Sequence, residues 1–139
     1  MKNFDTSACL SNPYDGSQRL WNVGFFFGMD KNNSSYRIYI DSVPRQWNLQ
    51  YGPNSGTSLT DVSSGVVANL DRSAIGRNCL SLRLKGDNGT LTVNGGMPMS
   101  FTIPVNQKGN IGLGTAFTPQ SARLGATTYY TDFVVYELP

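Results

Sequence analysis

Histidine is absent from the chain, and glutamate occurs once, as Glu137. Without histidine there is no Ser-His-Asp or Cys-His nucleophile pair, and no His-ligated zinc, copper or non-haem iron site. Two cysteines cannot build a four-thiolate centre. Charge is sparse too: Asp, Glu, Lys and Arg together make up 14% of the residues, against about 25% in an average soluble domain. The net charge is +2 and no basic block occurs, which argues against nucleic-acid binding, since that mode needs many clustered phosphate contacts. No apolar run approaches the ~18 residues that cross a bilayer. The stretch Val23–Met29 is far shorter and is broken by Gly24 and Gly28, so no membrane insertion is expected. Eight aspartates and the one glutamate are the carboxylates left for catalysis.

What is present is polar and small. The 139 residues include 13 Asn, 14 Ser, 11 Thr and 15 Gly, with aromatics at 12%. That length fits one domain, residues 1–139, able to bury roughly 68–70% of its unfolded surface without help from a metal. The aromatic content excludes a disordered tail. Cys9 and Cys79 are an even pair far apart in sequence. They can close a long loop as a disulfide or sit apart as two buried thiols that pack like small hydrophobes. Met1-Lys2-Asn3-Phe4-Asp5 lacks the hydrophobic core of a secretory leader, while the Asn/Thr/Ser/Gly-rich composition suits an exported β-domain. The expectation is an extracellular or cell-surface module, a fragment of a longer protein.

Apolar residues recur with a period of two almost everywhere. Tyr36, Ile38 and Ile40 alternate with Arg37, Tyr39 and Asp41. Trp47, Leu49 and Tyr51 alternate with Gln46, Asn48 and Gln50. Leu80, Leu82 and Leu84 alternate with Ser81, Arg83 and Lys85. Similar runs carry Leu91 and Val93, then Met99, Phe101 and Ile103, then Ile111, Leu113 and Phe117. Each predicts a half-buried antiparallel strand. Turn residues separate them, as in Asp30-Lys31-Asn32-Asn33, Gly86-Asp87-Asn88-Gly89 and Asn94-Gly95-Gly96. A short helical turn is possible only within Asn69–Arg77. About ten short strands at this spacing predict an all-β, antiparallel two-sheet sandwich or barrel. The last strand is apolar on both faces, with Phe133 and Val135 on one and Val134, Tyr136 and Leu138 on the other, which predicts burial on both sides.

The order of these segments resembles the concanavalin A-like lectin/glucanase (laminin G-like) jelly rolls. The resemblance runs over about residues 12–138, through Trp21-Asn22-Val23-Gly24-Phe25-Phe26-Phe27, Tyr36–Asp41, Trp47-Asn48-Leu49, Asn78–Lys85, Thr92-Val93-Asn94-Gly95, Gly109-Asn110-Ile111-Gly112-Leu113 and Asp132-Phe133-Val134-Val135. Asn12-Pro13-Tyr14-Asp15 followed by Trp21 is similar to a subgroup of uncharacterised domains appended to bacterial surface proteins. The resemblance implies a jelly-roll β-sandwich and makes a structural Ca2+ plausible. Two departures stand out. One or two N-terminal strands of the jelly roll are not apparent, leaving an open edge for a neighbour. The Glu-x-Asp strand motif of the glucanase members is missing, so no catalytic residue carries over.

Parity sorts the candidate site residues. Trp21, Val23, Phe25, Phe27 and Met29 share one face and Trp47, Leu49 and Tyr51 another; these are core. The opposite faces carry Phe26, then Arg37, Tyr39 and Asp41, then Gln46, Asn48 and Gln50. If these strands are neighbours, they form a polar sheet face with aromatic rings set into it, which suits stacking and hydrogen bonding of a sugar. Asp30, Asn32 and Asp132 are the candidate oxygen ligands for a hard cation. Arg83 and Lys85, with Arg37, offer positive charge to an anionic ligand. Three functions follow: a non-catalytic carbohydrate-recognition module; a structural module that packs on neighbouring domains or on copies of itself; and a glycan hydrolase using an Asp pair, which would need two carboxylates about 5–9.5 Å apart.

Overall fold

The computed structural model describes residues 1–139 as ten strands and a single 3-10 turn at Pro119–Ser121. The strands are β1 (Phe4–Ser11), β2 (Asn22–Phe27), β3 (Ser34–Asp41), β4 (Gln46–Pro53), β5 (Thr60–Val66), β6 (Arg77–Lys85), β7 (Asn88–Val93), β8 (Met99–Thr102), β9 (Ile111–Thr115) and β10 (Tyr129–Glu137). They form two five-stranded sheets, ordered β10-β1-β6-β7-β8 and β5-β4-β3-β2-β9, with every pairing antiparallel. This is a jelly-roll β-sandwich: the alternating pattern predicts a sandwich or barrel, and the resemblance implies the jelly roll.

The alternation writes the core directly. β6 buries Asn78, Leu80, Leu82 and Leu84; β3 buries Tyr36, Ile38 and Ile40 beneath its inner face; β2 contributes Val23, Phe25 and Phe27. These join Trp21, Trp47, Leu49, Leu91, Val93 and Phe101 in one continuous cluster between the sheets. Each large aliphatic or aromatic side chain so buried contributes about 1.5–3 kcal/mol.

Polar side chains tie the strand ends. Asn78, fully buried, donates to Asn12 Oδ1 at 2.9 Å and to the Asp71 carbonyl at 2.8 Å, and accepts from the Asp71 amide and from Asn94. All four of its hydrogen-bonding positions are thereby filled. These bonds, with Asp71 Oδ1 accepting from Ser73 N and Oγ, shape Asn69–Arg77 as turns rather than the helical turn the sequence allowed. Cys9 and Cys79 stand directly opposite in the β1–β6 register and are joined in a disulfide.

Three expectations change. β1 is an N-terminal strand that the sequence pattern hid: its buried row is Phe4, Thr6, Ala8 and Leu10, only half of it strongly apolar, with Thr6 Oγ1 satisfied by the Val134 carbonyl at 2.8 Å. β10 is not covered on both faces. It pairs only with β1, at the edge of its sheet, and leaves Tyr129 67% and Tyr136 66% exposed, with Phe133 and Val134 also in solvent. Met29 leaves the core row because Gly28, at φ +62, turns the chain after Phe27; Met29 is 40% exposed.

Candidate functional site

β5, β4, β3, β2 and β9 are neighbours, so the alternate residues that miss the core line up on one outer face. The register sets them in rows: Phe26 beside Arg37, Gln50 and Asp61; Gly24 beside Tyr39, Asn48 and Ser64; Asn22 beside Asp41 and Gln46. All seven residues expected to contact a ligand therefore do share this face, but the structure gives them different surroundings.

The β2–β9 side is filled by aromatic rings. Gly24 lies so close to β3 that an added Cβ would enter the Ile38 carbonyl oxygen, and the space over Gly114 is held by the Phe26 and Phe117 rings. Ala116, at φ +55, turns the chain after β9, and Phe117 folds back over the glycines instead of continuing the strand's inner row. Its ring stacks on Tyr39 with centroids 4.8 Å apart and planes 11° apart, and on Phe26 at 4.8 Å and 28°. Asn22 holds this loop down: its Oδ1 accepts from Phe117 N at 2.7 Å and Ser121 Oγ at 3.1 Å, and its Nδ2 donates to Thr118 Oγ1 at 3.1 Å. Tyr39 is consequently only 3% exposed. Burial, then the negative charges of Asp41 and Asp61, push its phenol up to about 12, so it stays a donor and gives its proton to Gln50 Oε1 at 3.2 Å.

The β3–β5 side is open and polar. Gln50 Nε2 donates to Asp61 Oδ1 at 2.9 Å, and Gln46 Nε2 donates to Asn48 Oδ1 at 3.0 Å. Asp41 receives Asn48 Nδ2 at 2.8 Å and Asn22 Nδ2 at 3.2 Å. Even so, burial outweighs these bonds and raises the Asp41 pKa from its ordinary value. A groove of about 290 Å³ runs over β4 and β5, lined by Gln46, Asn48, Asp61, Val62, Ser63 and Ser64. The β5 side of this groove was not foreseen. Thr60–Val66 has no apolar alternation, because both faces of this edge strand are partly in water, and no sequence signal marks it. Phe117 was equally missed, since parity assigned it to the core.

Arg37 is the one charged side chain among the buried residues, at 3% exposed. Its Nη2 donates to the Pro53 carbonyl at 3.2 Å and its guanidinium lies 5.4 Å over the Phe26 ring. The ion pairs of the protein, Arg77–Asp132 and Arg83–Asp5, involve other residues. Burial lowers the Arg37 pKa from its usual value.

The candidate cation ligands do not form a cage. Asp132 is on β10 and pairs with Arg77 at 3.2 Å. Asp30 is in the β2–β3 turn of the other sheet, where Oδ1 accepts from Asn32 N and Ser34 N and Oδ2 accepts from Tyr51 Oη at 2.8 Å. These bonds, led by that from Ser34, hold the Asp30 carboxyl below its ordinary pKa. Asp30 with Asn32 reads as a turn, and nowhere do three His, Cys, Asp or Glu side chains cluster. A wider depression of about 630 Å³, on the outer face of the other sheet, carries Arg83, Lys85, Thr90, Ser100 and Thr102. Its cations are solvated at the surface, and Arg83 is already paired with Asp5.

No protein-family model matches the chain, and no curated protein sequence does. Solved structures do. The carbohydrate-binding module CBM66 from Bacillus subtilis superposes with a TM-score of 0.69 at 15% identity, over 96% of this chain and 74% of that one. Sheep galectin-11 superposes with a TM-score of 0.65 at 8% identity, over 98% and 91%. A β-fructofuranosidase from Aspergillus kawachii superposes with a TM-score of 0.64 at 17% identity, over 96% of this chain but only 23% of the enzyme. At these identities the likeness is one of fold, a two-sheet jelly-roll β-sandwich.

Proposed function

We propose that the chain is a non-catalytic, extracellular carbohydrate-recognition module, and that the sugar lies in the groove over β4 and β5. The observation that carries this reading is the amide and carboxylate row on adjacent strands, with Gln46, Asn48 and Gln50 half-exposed and Asp61 exposed, bonded in the pairs Gln46–Asn48 and Gln50–Asp61. Pre-positioned side chains of this kind offer paired donors and acceptors to sugar hydroxyls at little entropic cost. Val62 supplies an apolar contact in the groove and the rings of Phe117 and Tyr39 stiffen the neighbouring face. The likeness to a carbohydrate-binding module and to galectins supports the same choice by analogy of fold. The non-catalytic part rests on spacing. Asp41 and Asp61 are the carboxylates of this face, and the register separates their Cα atoms by four residues and two strands, about 16 Å, well beyond a glycosidase pair. The disulfide supports an oxidising, extracellular setting. A glycan array, run with and without calcium, tests the reading. Binding that Asn48→Ala and Asp61→Ala each weaken at least tenfold, without loss of fold, is expected. No signal above background on the array refutes it.

A second reading is favoured by β10. Its outer backbone edge is unpaired and it exposes Tyr129, Phe133, Val134 and Tyr136, an apolar surface on the order of 400 Å² per copy. The occupant that fits is a second copy, paired β10 to antiparallel β10 across a two-fold axis, because such an interface is self-complementary. Two copies would cover about half of a standard interface with these side chains alone. Light scattering at rising concentration should give twice the 15.2 kDa chain mass, and Tyr136→Lys should return the monomer. A monomer for the parent chain at millimolar concentration rules this reading out.

A further inference from the structure

Arg37 carries more hydrogen-bonding capacity than the protein uses. A guanidinium has five N–H donors. Here Nη2 meets the Pro53 carbonyl, whereas Nε is sealed from solvent with no acceptor, and no carboxylate pairs with the group. Its Nη1 makes no hydrogen bond and is not among the atoms sealed from solvent, so the small exposure of Arg37, 3%, includes this edge. Over it passes Gly56, at φ +78; a Cβ placed there would still stand 3.9 Å from Nη1. The turn above is built from Asn54, Ser55, Gly56, Thr57 and Ser58, none of them large. A depression of about 360 Å³ begins beside it, at Phe26, Ser35 and Asn54. Taking a charge out of water without a counter-charge destabilises a protein. The Phe26 ring offsets part of that cost through its π face, but a ring satisfies no N–H. Arg45 and Arg72 also leave Nε unpartnered, yet both are half-exposed, each donates through Nη1 to a backbone carbonyl, and neither is on this face.

We propose that Arg37 is the counter-ion site for an acidic sugar: the glycan bound on this face carries a carboxylate or sulfate that accepts hydrogen bonds from the Arg37 guanidinium between Phe26 and the Pro53–Ser58 turn. The proposal rests on the carbohydrate reading above and names its substrate class. Arg37 is paired across β3–β4 with Gln50, which in turn pairs with Asp61. A sugar in the β4–β5 groove thus lies one strand away, within reach of a neighbouring residue of the same chain. The planar, always-charged guanidinium suits a carboxylate or sulfate better than an ammonium does.

The test uses NMR on the 15N-labelled chain. Glucuronate, galacturonate and N-acetylglucosamine 6-sulfate are titrated against their neutral parents glucose, galactose and N-acetylglucosamine, each to 50 mM. The expected result is at least tenfold tighter binding of one acid than of its parent. The Arg37 Nε–H resonance should shift together with the amides of Asn48 and Asp61. The uronate and sulfate arms distinguish the two sources of charge. Arg37→Gln should weaken binding of the acid at least tenfold more than binding of its neutral parent, with an unchanged amide spectrum elsewhere showing that the fold is kept; Arg37→Lys should keep part of the preference. Neutral and acidic sugars bound equally, with β4–β5 responding and Arg37 silent, overturns the inference and leaves the carbohydrate reading standing. Equal weakening of both sugars by Arg37→Gln makes Arg37 a structural residue and also overturns it. A response of Arg37 to inorganic sulfate alone, with β4–β5 unmoved by any sugar, overturns both.

Discussion

Replacing Cys9 and Cys79 together by serine isolates the contribution of chain connectivity. The bond closes a loop across a sequence separation of 70 residues, and both side chains lie half-exposed on the outer face of their sheet, so the substitution opens no core cavity. In the loop-entropy account, a closure of this length withdraws about 15 cal/mol/K from the unfolded chain, or about 4 kcal/mol at 25 °C. A chain of this size unfolds with an entropy of roughly 290 cal/mol/K. The double variant should therefore melt about 15 °C below the parent, and the parent in strong reductant should match it. Differential scanning calorimetry reads both. The native state keeps all eight β1–β6 register pairs, so the loss should appear in the stability of an otherwise unchanged fold, with the same far-UV spectrum at 20 °C. A fall of less than about 5 °C would refute the reasoning. It would mean that the unfolded chain already keeps β1 and β6 near one another, or that strain in the folded state cancels the entropy gained.

Gly24→Ala drives a Cβ into the β3 backbone at Ile38 and Tyr39; since backbone cannot rotate away, the cost should reach the top of the overpacking range, about 3 kcal/mol, and a melt that stays within 2 °C of the parent contradicts it. Asp41 and Asp30 should titrate on opposite sides of the ordinary aspartate value, Asp41 above through burial and Asp30 below through its hydrogen bonds, as followed by carboxyl 13C shifts. A raised native pKa contributes stability below the unfolded value that is lost as pH rises through the native one. Asp41→Asn removes that gain at acid pH, so its melting temperature should fall further than the parent's between pH 6 and pH 3; a smaller fall reverses the assignment. Because neither Asp30 nor Asp132 has a free carboxylate arranged for a cation, a chelator should leave the melting temperature within about 1 °C, and a larger drop restored by added calcium would show that a cation is held.

Where burial alone decides, the alternation was enough. β3, β4, β6 and β7 each send every second residue between the two layers, although β3 also buries Arg37 and Tyr39 on its outer face, so period two states both the element and the face. The two faces of β3 and β4 were legible for that reason, and with them the position of Arg37, Tyr39, Asp41, Gln46, Asn48 and Gln50. What failed was whatever depended on neighbours. β5 is a partly solvated edge with no apolar row. β1 hides its row behind Thr6, whose hydroxyl is satisfied by a strand 128 residues away. β10 has an apolar pattern on both faces, which in a central strand means burial and at a sheet edge means exposure; only the sheet order tells them apart. Phe117 depended on one backbone angle, the positive φ of Ala116, which moves it from the inner row to the outer face.

That single reversal decides how the outer face divides. Gly114 leaves room for the Phe117 and Phe26 rings, so two aromatic side chains that parity offered to a sugar, Phe26 and Tyr39, are engaged by a third ring from the same chain. The stack fills the β2–β3 half with apolar surface and lowers the polarity around Arg37 and Asp41. Both depart from their ordinary pKa values through burial, on the same strand and four residues apart. Asp41 finds two amide donors there. Arg37 finds one carbonyl and no carboxylate. The sheet therefore satisfies its half-buried acid and leaves its buried base short, and the proposed anionic ligand is the partner that would complete it. If the proposed reading holds, a neutral sugar uses only the amide groove and an acidic one the groove and Arg37 together, and charge is then the property by which this face would discriminate between otherwise similar sugars.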